Sequence, residues 1–227
     1  MSQPELFAGD EPEYSSGRAS APAEIPDGLF ELSVDAYYSA MYARMSELPI
    51  EGEISRFIEK VIKAGFVPES RACARTLADR AASDRGDIET LTVLNAAYKV
   101  QHEIHRLTGL LRFTPNDEGV YIARCSPDHY ILPGLADHFT LRFGETPWAI
   151  IDEKRGLCLC REKAGPPKLV PLNVFFSLTS AEECAKDSWE DLWRLYHRSV
   201  NNEAKKNLHL QRQFMPLRYQ KYLPEKK

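Results

Sequence analysis

Between His105 and Arg155 the chain sets histidines, arginines and carboxylates among aromatic residues at short intervals. The run includes His105-Arg106, Arg112-Phe113, Asp128-His129, Asp137-His138-Phe139, Arg142-Phe143, and Trp148 ahead of Asp152-Glu153-Lys154-Arg155. Polar groups of this kind are costly to bury without partners, so their density marks a polar site rather than a plain core. Two chemistries suit them. A histidine oriented by a carboxylate performs general acid–base work, and His105 or His138 oriented by Asp152 forms the candidate catalytic set. Guanidinium forks hold phosphate oxygens while aromatic faces stack on bases, so Arg106, Arg112, Arg142 and Arg155 with Trp148 are candidates for binding single-stranded or flipped-out nucleic acid. Arg218 and Tyr219, in a Lys/Arg-rich aromatic tail, repeat that mix. The plainer reading is that the arginines pair with Glu145, Asp152 and Glu153, and that the polar groups satisfy one another in a buried network.

Other chemistries find less support. His102-Glu103-x-His105 puts two histidines on one helix face, but it is not the HExxH pattern and its spacing fixes no third ligand. Asp137 adjoins His138 in sequence and so cannot share its helix face. The five cysteines, Cys73, Cys125, Cys158, Cys160 and Cys184, contain no CxxC pair, which favours buried reduced thiols over a metal or iron–sulfur site. No GxSxG, SxxK, phosphate-binding P-loop or Gly-rich dinucleotide turn occurs. Neither a metal nor a cofactor is expected.

The elements that must position these residues follow from periodicity. Residues 1–26 are rich in Glu, Ser, Pro and Ala with no hydrophobic period and read as a disordered acidic tail. A helix is expected from the Ser33 cap, with Val34, Tyr37, Tyr38, Met41 and Met45 on one face. A second covers 53–64, with Ile54, Phe57, Ile58, Val61 and Ile62 inward and Gly65 as its stop; a third covers 70–82. A fourth runs from an Asp87 cap to about Arg106, with Ile88, Leu91, Leu94, Tyr98 and Ile104 toward the core. The period then shortens, giving strands at 107–113, 120–125, 148–152 and 157–161. Turns at Asn116–Gly119 and Lys154–Gly156 join them into two hairpins around a helix over 132–143, and 169–172 adds a further strand. A helix from 181 to about 198 and the basic tail complete the chain. The expected fold is α+β: N-terminal helices, a central mostly antiparallel sheet of two hairpins with an intervening helix, and C-terminal helices. The expected divisions are the 1–26 tail, a divergent helical region over 27–94, and an α+β domain over 95–227.

Bulk properties bound the partners. At 227 residues, 43% hydrophobic and 27% charged, the chain has the composition of a soluble globular protein. It has no apolar run long enough for a membrane helix and no secretory signal at its start, so a cytoplasmic location is expected. The net charge of −4 hides a gradient. Residues 1–53 hold eleven acids against two arginines, whereas 186–227 hold ten bases against five acids. A basic C-terminal binding face fits that asymmetry.

Five segments in order resemble a known family: HEIHRLTGLLRF, GVYIARCSPDHYILPGLADHFTLRF, WAIIDEKRG, WEDLWRLYHRSV and NLHLQRQFMPLRYQKYLPE. The chain is similar over about residues 95–225 to an uncharacterised family of DNA-metabolism and DNA-repair proteins; the resemblance is weak over 1–94. The matching positions are Glu103, His105, Arg106, Arg112, Phe113, Asp128, His138, Phe139, Arg142, Trp148, Asp152 and Arg155, then Asn207, Gln211, Met215, Pro216, Arg218 and Tyr219. Gln220 stands where the family has Trp, and Asn201–Ala204 replaces its Ile-x-x-Arg. In that family the domain occurs beside radical SAM proteins and is sometimes fused to uracil-DNA glycosylase-type domains. The resemblance implies a DNA-repair accessory that binds damaged or single-stranded DNA and works with such a partner. The CxxxCxxC motif of the radical enzymes themselves is absent. Two alternatives stand beside this reading: an interaction module with little DNA contact, and a nucleotide-processing hydrolase using the His/Asp/Arg pocket.

Overall fold

The computed structural model describes residues 25–66, 70–163, 165–179 and 188–226. The expected tail over 1–26 therefore lies almost wholly outside the described residues, as does the start of the last expected helix, and Cys184 with it. The architecture is α+β, with helices at both ends of a five-stranded mixed sheet. Two compact units divide the chain at Ile104/His105, and the short stretch Asp128–Ile131 belongs with the first of them.

The helical unit holds α1 (Asp27–Leu32), α2 (Val34–Arg44), α3 (Glu51–Gly65), α4 (Arg71–Ala82) and most of α5 (Ile88–Leu110). Small polar side chains start several of them. Ser33 Oγ accepts the Ala36 N–H, Ser70 Oγ accepts that of Cys73, and the Asp87 carboxylate accepts that of Thr90. On α3 the expected face is the observed one, with Ile54, Phe57, Ile58 and Val61 buried and Ile62 packed against them. Gly65 ends that helix without a left-handed turn. A Cβ there would come within 2.9 Å of Leu32, so its smallness serves close helix packing.

Two helix faces differ from expectation. On α2 the buried stripe is Ala36, Ala40 and Ala43, while Val34 and Tyr38 are exposed. On α5 the buried residues are Thr90, Val93, Ala96, Ala97, Val100, Glu103 and Leu107. Ile88 and Tyr98, expected inward, are 79% and 60% exposed. In both helices small side chains permit close approach, and the gain from dense packing outweighs the burial of the larger residues on the adjoining face.

The sheet unit contains β1 (Phe113–Pro115), β2 (Tyr121–Cys125), α6 (Leu132–Phe143), β3 (Trp148–Asp152), β4 (Leu157–Arg161), β5 (Lys168–Pro171), α7 (Leu172–Leu178), α8 (Ser188–Val200), α9 (Leu208–Phe214) and α10 (Leu217–Gln220). Strand order follows chain order; β2 and β3 are parallel and every other neighbouring pair is antiparallel. Two hairpins are thus joined side by side, and α6 supplies the crossover that a parallel pair requires. Both expected turns are present: Asn116 Oδ1 accepts the N–H groups of Glu118 and Val120, and Gly119 and Gly156 adopt φ of 78° and 63°.

The strand expected over 107–113 is a correction. The helix continues to Leu110, Leu111 N–H still donates to Leu107 O, and β1 begins only at Phe113. Leu107 and Leu111 stand one turn apart and are both buried, a helical spacing that the short apolar run concealed. Phe113 then packs its ring 5.0 Å from Phe139 and 4.7 Å from Phe143 of α6, and both α6 rings lie near Trp148. The opposite face of the sheet buries Ile122, Ala149, Ile151, Cys158 and Cys160 with Val170 and Phe175.

Candidate functional site

The fully extended, wholly buried strand β3 delivers Asp152 to the carboxyl end of the parallel β2–β3 pair, in register with Cys125. Ligand sites in open sheets favour this end of parallel strands. Asp152 has no exposed surface, and its carboxylate is fully engaged. Oδ1 accepts the N–H groups of Lys154 (3.0 Å) and Arg155 (3.3 Å), and Oδ2 lies 2.7 Å from Arg155 Nη1. The same Nη1 donates to Pro127 O at 3.3 Å. One guanidinium therefore ties the β3–β4 turn to the segment that leaves β2.

Glu153, the next residue, faces a second set of partners. Its carboxylate accepts the Tyr222 hydroxyl at 2.6 Å, lies 3.4 Å from Lys221 Nζ, and approaches Arg124 at 3.9 Å. Burial first, and then the adjacent Glu153 charge, push the Tyr222 phenol well above its ordinary pKa, so it remains a donor. Glu225, nearby in sequence, accepts from Trp193 Nε1 at 2.9 Å and faces Arg112 at 3.7 Å. The basic C-terminal segment is thereby fastened to the sheet unit through carboxylates.

In the helical unit, Glu103 is 3% exposed, and each of its oxygens accepts one backbone N–H, from Asp128 and His129, both at 2.8 Å. His129 Nδ1 accepts the Glu47 N–H, and Tyr130 N–H donates to Met45 O. Glu103 thus works as the carboxylate that shapes the Pro-Asp-His stretch. Sequence reasoning matched this residue to the family pattern but gave it no site role. Its signal was a lone acid on the helix face that also carries Ala96, Val100 and Leu107.

The sequence-derived candidates fall into two groups. Asp152, Arg155, Trp148 and Tyr219 are buried or nearly so, and Arg112 spends its guanidinium on Gly109 O, Leu111 O and Glu225. Trp148 is covered by α6 aromatics, and its indole N–H has no partner among the described residues. The Arg218 guanidinium lies 4.8 Å above the Tyr219 ring. His105, His138 and Arg142, by contrast, are exposed, and Arg106 is half-buried. Among the described residues none of these four side chains hydrogen-bonds or pairs with a charge; His138 makes only an edge contact with Phe139. The carboxylate of Asp152 is held by Arg155 and turn amides rather than by either histidine. Nor is there, among the described residues, a cluster of three His, Cys, Asp or Glu side chains that could hold a metal.

Residues 61–225, most of the chain, match the family described as "Domain of unknown function (DUF4130)". The chain belongs to that family. The DUF4130 match begins within α3, so α4 and the first half of α5 lie inside the matched span. Their low motif content reflects a helical packing role filled by many small apolar residues. Glu103, Asp128, Asp152, Arg155 and the C-terminal segment all lie inside the DUF4130 span. No curated protein and no solved structure matches the chain.

Proposed function

We propose that this protein is a nucleic-acid-binding accessory of DNA repair that engages damaged or single-stranded DNA beside a radical SAM or uracil-DNA glycosylase-type partner. The observation that carries the reading is the unspent positive charge of the sheet unit. Arg142 and His138 stand one helical turn apart on α6, both exposed, with Arg106 and His105 at the end of α5, and none has an anionic partner among the described residues. Arginines that serve only the fold are paired, as Arg155 and Arg112 are. An unpaired guanidinium flanked by imidazole is suited to phosphate oxygens, which dominate affinity for nucleic acid. Arg155, Trp148 and Tyr219 act in this reading by holding the scaffold, and the contacts fall to Arg106, Arg142 and the exposed Arg218.

The test is binding of single-stranded, duplex and uracil-containing oligonucleotides at several salt concentrations. Arg142→Ala and Arg106→Ala should each weaken binding and flatten the salt dependence by about one unit of slope, with thermal stability unchanged. Salt-independent binding, or affinity indifferent to both substitutions, overturns the reading. A second reading, an interaction module, is favoured by one observation, the apolar outer face of α8.

A further inference from the structure

Helix α8 is oriented with its polar side toward its own chain. Glu190, Arg194 and His197 fall on one arc and are partly covered. Arg194 donates to Pro224 O and bridges Glu190 and Asp191, and Trp193 at the arc's margin is bonded to Glu225. The opposite arc holds Leu192, Leu195, Tyr196 and Val200, which are 54%, 63%, 55% and 58% exposed. Apolar residues at i, i+3, i+4 and i+8 form a continuous stripe that a helix normally buries. Leu192 and Leu195 fit the two core positions of one heptad, with Ser199 at the next and Tyr196 and Val200 flanking them.

We propose that this stripe is the interface between two copies of the chain, which pair through α8 in antiparallel orientation about a two-fold axis near Leu195. Charge pattern selects that occupant. Asp191 and Arg198 lie seven residues apart along one edge of the stripe. The Asp191 side chain is 81% exposed, and Arg198 is exposed with no partner among the described residues. Antiparallel pairing about Leu195 brings Asp191 of each copy to Arg198 of the other, so one surface complements itself, as an isologous interface must. A parallel pair would set this edge against the partner's Tyr196 edge, where neither charge meets its opposite. A stripe about 20 Å long presents less than the roughly 800 Å² per partner of a standard interface, so the dimer dissociates on dilution.

The experiment is sedimentation velocity of the full chain over a dilution series. The wild type should show a monomer–dimer equilibrium. Leu195→Glu should raise the dissociation constant by at least about tenfold. Asp191→Arg and Arg198→Asp should each weaken the dimer alone, yet an equimolar mixture of these two variants should associate, because each mixed pair regains both opposite-charge contacts. Should Leu195→Glu lose helical content by circular dichroism, the charge variants and their mixture carry the test by themselves. A wild type that stays monomeric throughout overturns the proposal. So does a dimer indifferent to Leu195→Glu, or a mixture that fails to associate.

Discussion

Asp152 and Arg155, three residues apart across the β3–β4 turn, form a 2.7 Å ion pair in which the Asp152 side chain is wholly buried and the Arg155 side chain is 9% exposed. With the Pro127 carbonyl as a third partner, the pair closes the turn onto the segment following β2. The pair is an internal tie of the sheet unit.

Removing either partner leaves the other charged and buried. Asp152→Ala and Arg155→Ala should each destabilise the protein by roughly 3–5 kcal/mol, measured by urea denaturation. Arg155→Ala that keeps wild-type stability but loses nucleic-acid affinity would instead assign the guanidinium to ligand.

Glu103 offers a related test at a second buried acid. Glu103→Gln preserves shape but replaces one acceptor oxygen with a donor facing an amide. The cost should be about 1–3 kcal/mol. Hydrogen exchange should quicken at the Asp128 and His129 amides, the two groups that the carboxylate holds.

The α5 cap makes stability depend on acid pH. Hydrogen bonds from the Thr90 hydroxyl and amide, followed by the Lys60 ammonium, lower the Asp87 pKa from 3.8 to about 2. A depressed folded-state pKa contributes stability that is full above the unfolded value and is lost as the pH falls through about 2. Asp87→Asn should therefore lower thermal stability at neutral pH, and the difference from wild type should shrink on acidification toward pH 2.

Thiol reactivity should divide by burial. Cys73 is exposed, whereas Cys125, Cys158 and Cys160 are buried. Burial, reinforced by neighbouring Cys160, drives the Cys158 thiol far above its usual pKa, so the reactive thiolate is scarce. Iodoacetamide on the native protein should modify Cys73 and leave those three untouched until denaturant is added. Rapid native labelling of Cys158 would show that β4 opens locally.

Much of the fold could be read from residue spacing because local rules acted alone there. Ser33 and Asp87 cap helices, Gly119 and Gly156 take the positive φ their turns need, and β3, β4 and α6 begin and end where alternation and helical period say they should. Helix faces were legible on α3, where large aliphatic residues mark one side. They were not on α2 and α5, where alanines form the contact and the larger side chains stay outside.

The sequence by itself determined most of the element types between 33 and 161, the two hairpins, the charge gradient and the membership of polar residues in one dense stretch. Only the tertiary structure decided which of those residues are spent. Arg155 and Arg142 look alike in sequence, yet β-pairing and turn closure bury Arg155 against Asp152, while the outer face of α6 leaves Arg142 in water. Partnering depends on what folding brings within reach, and neither residue type nor spacing encodes that distance.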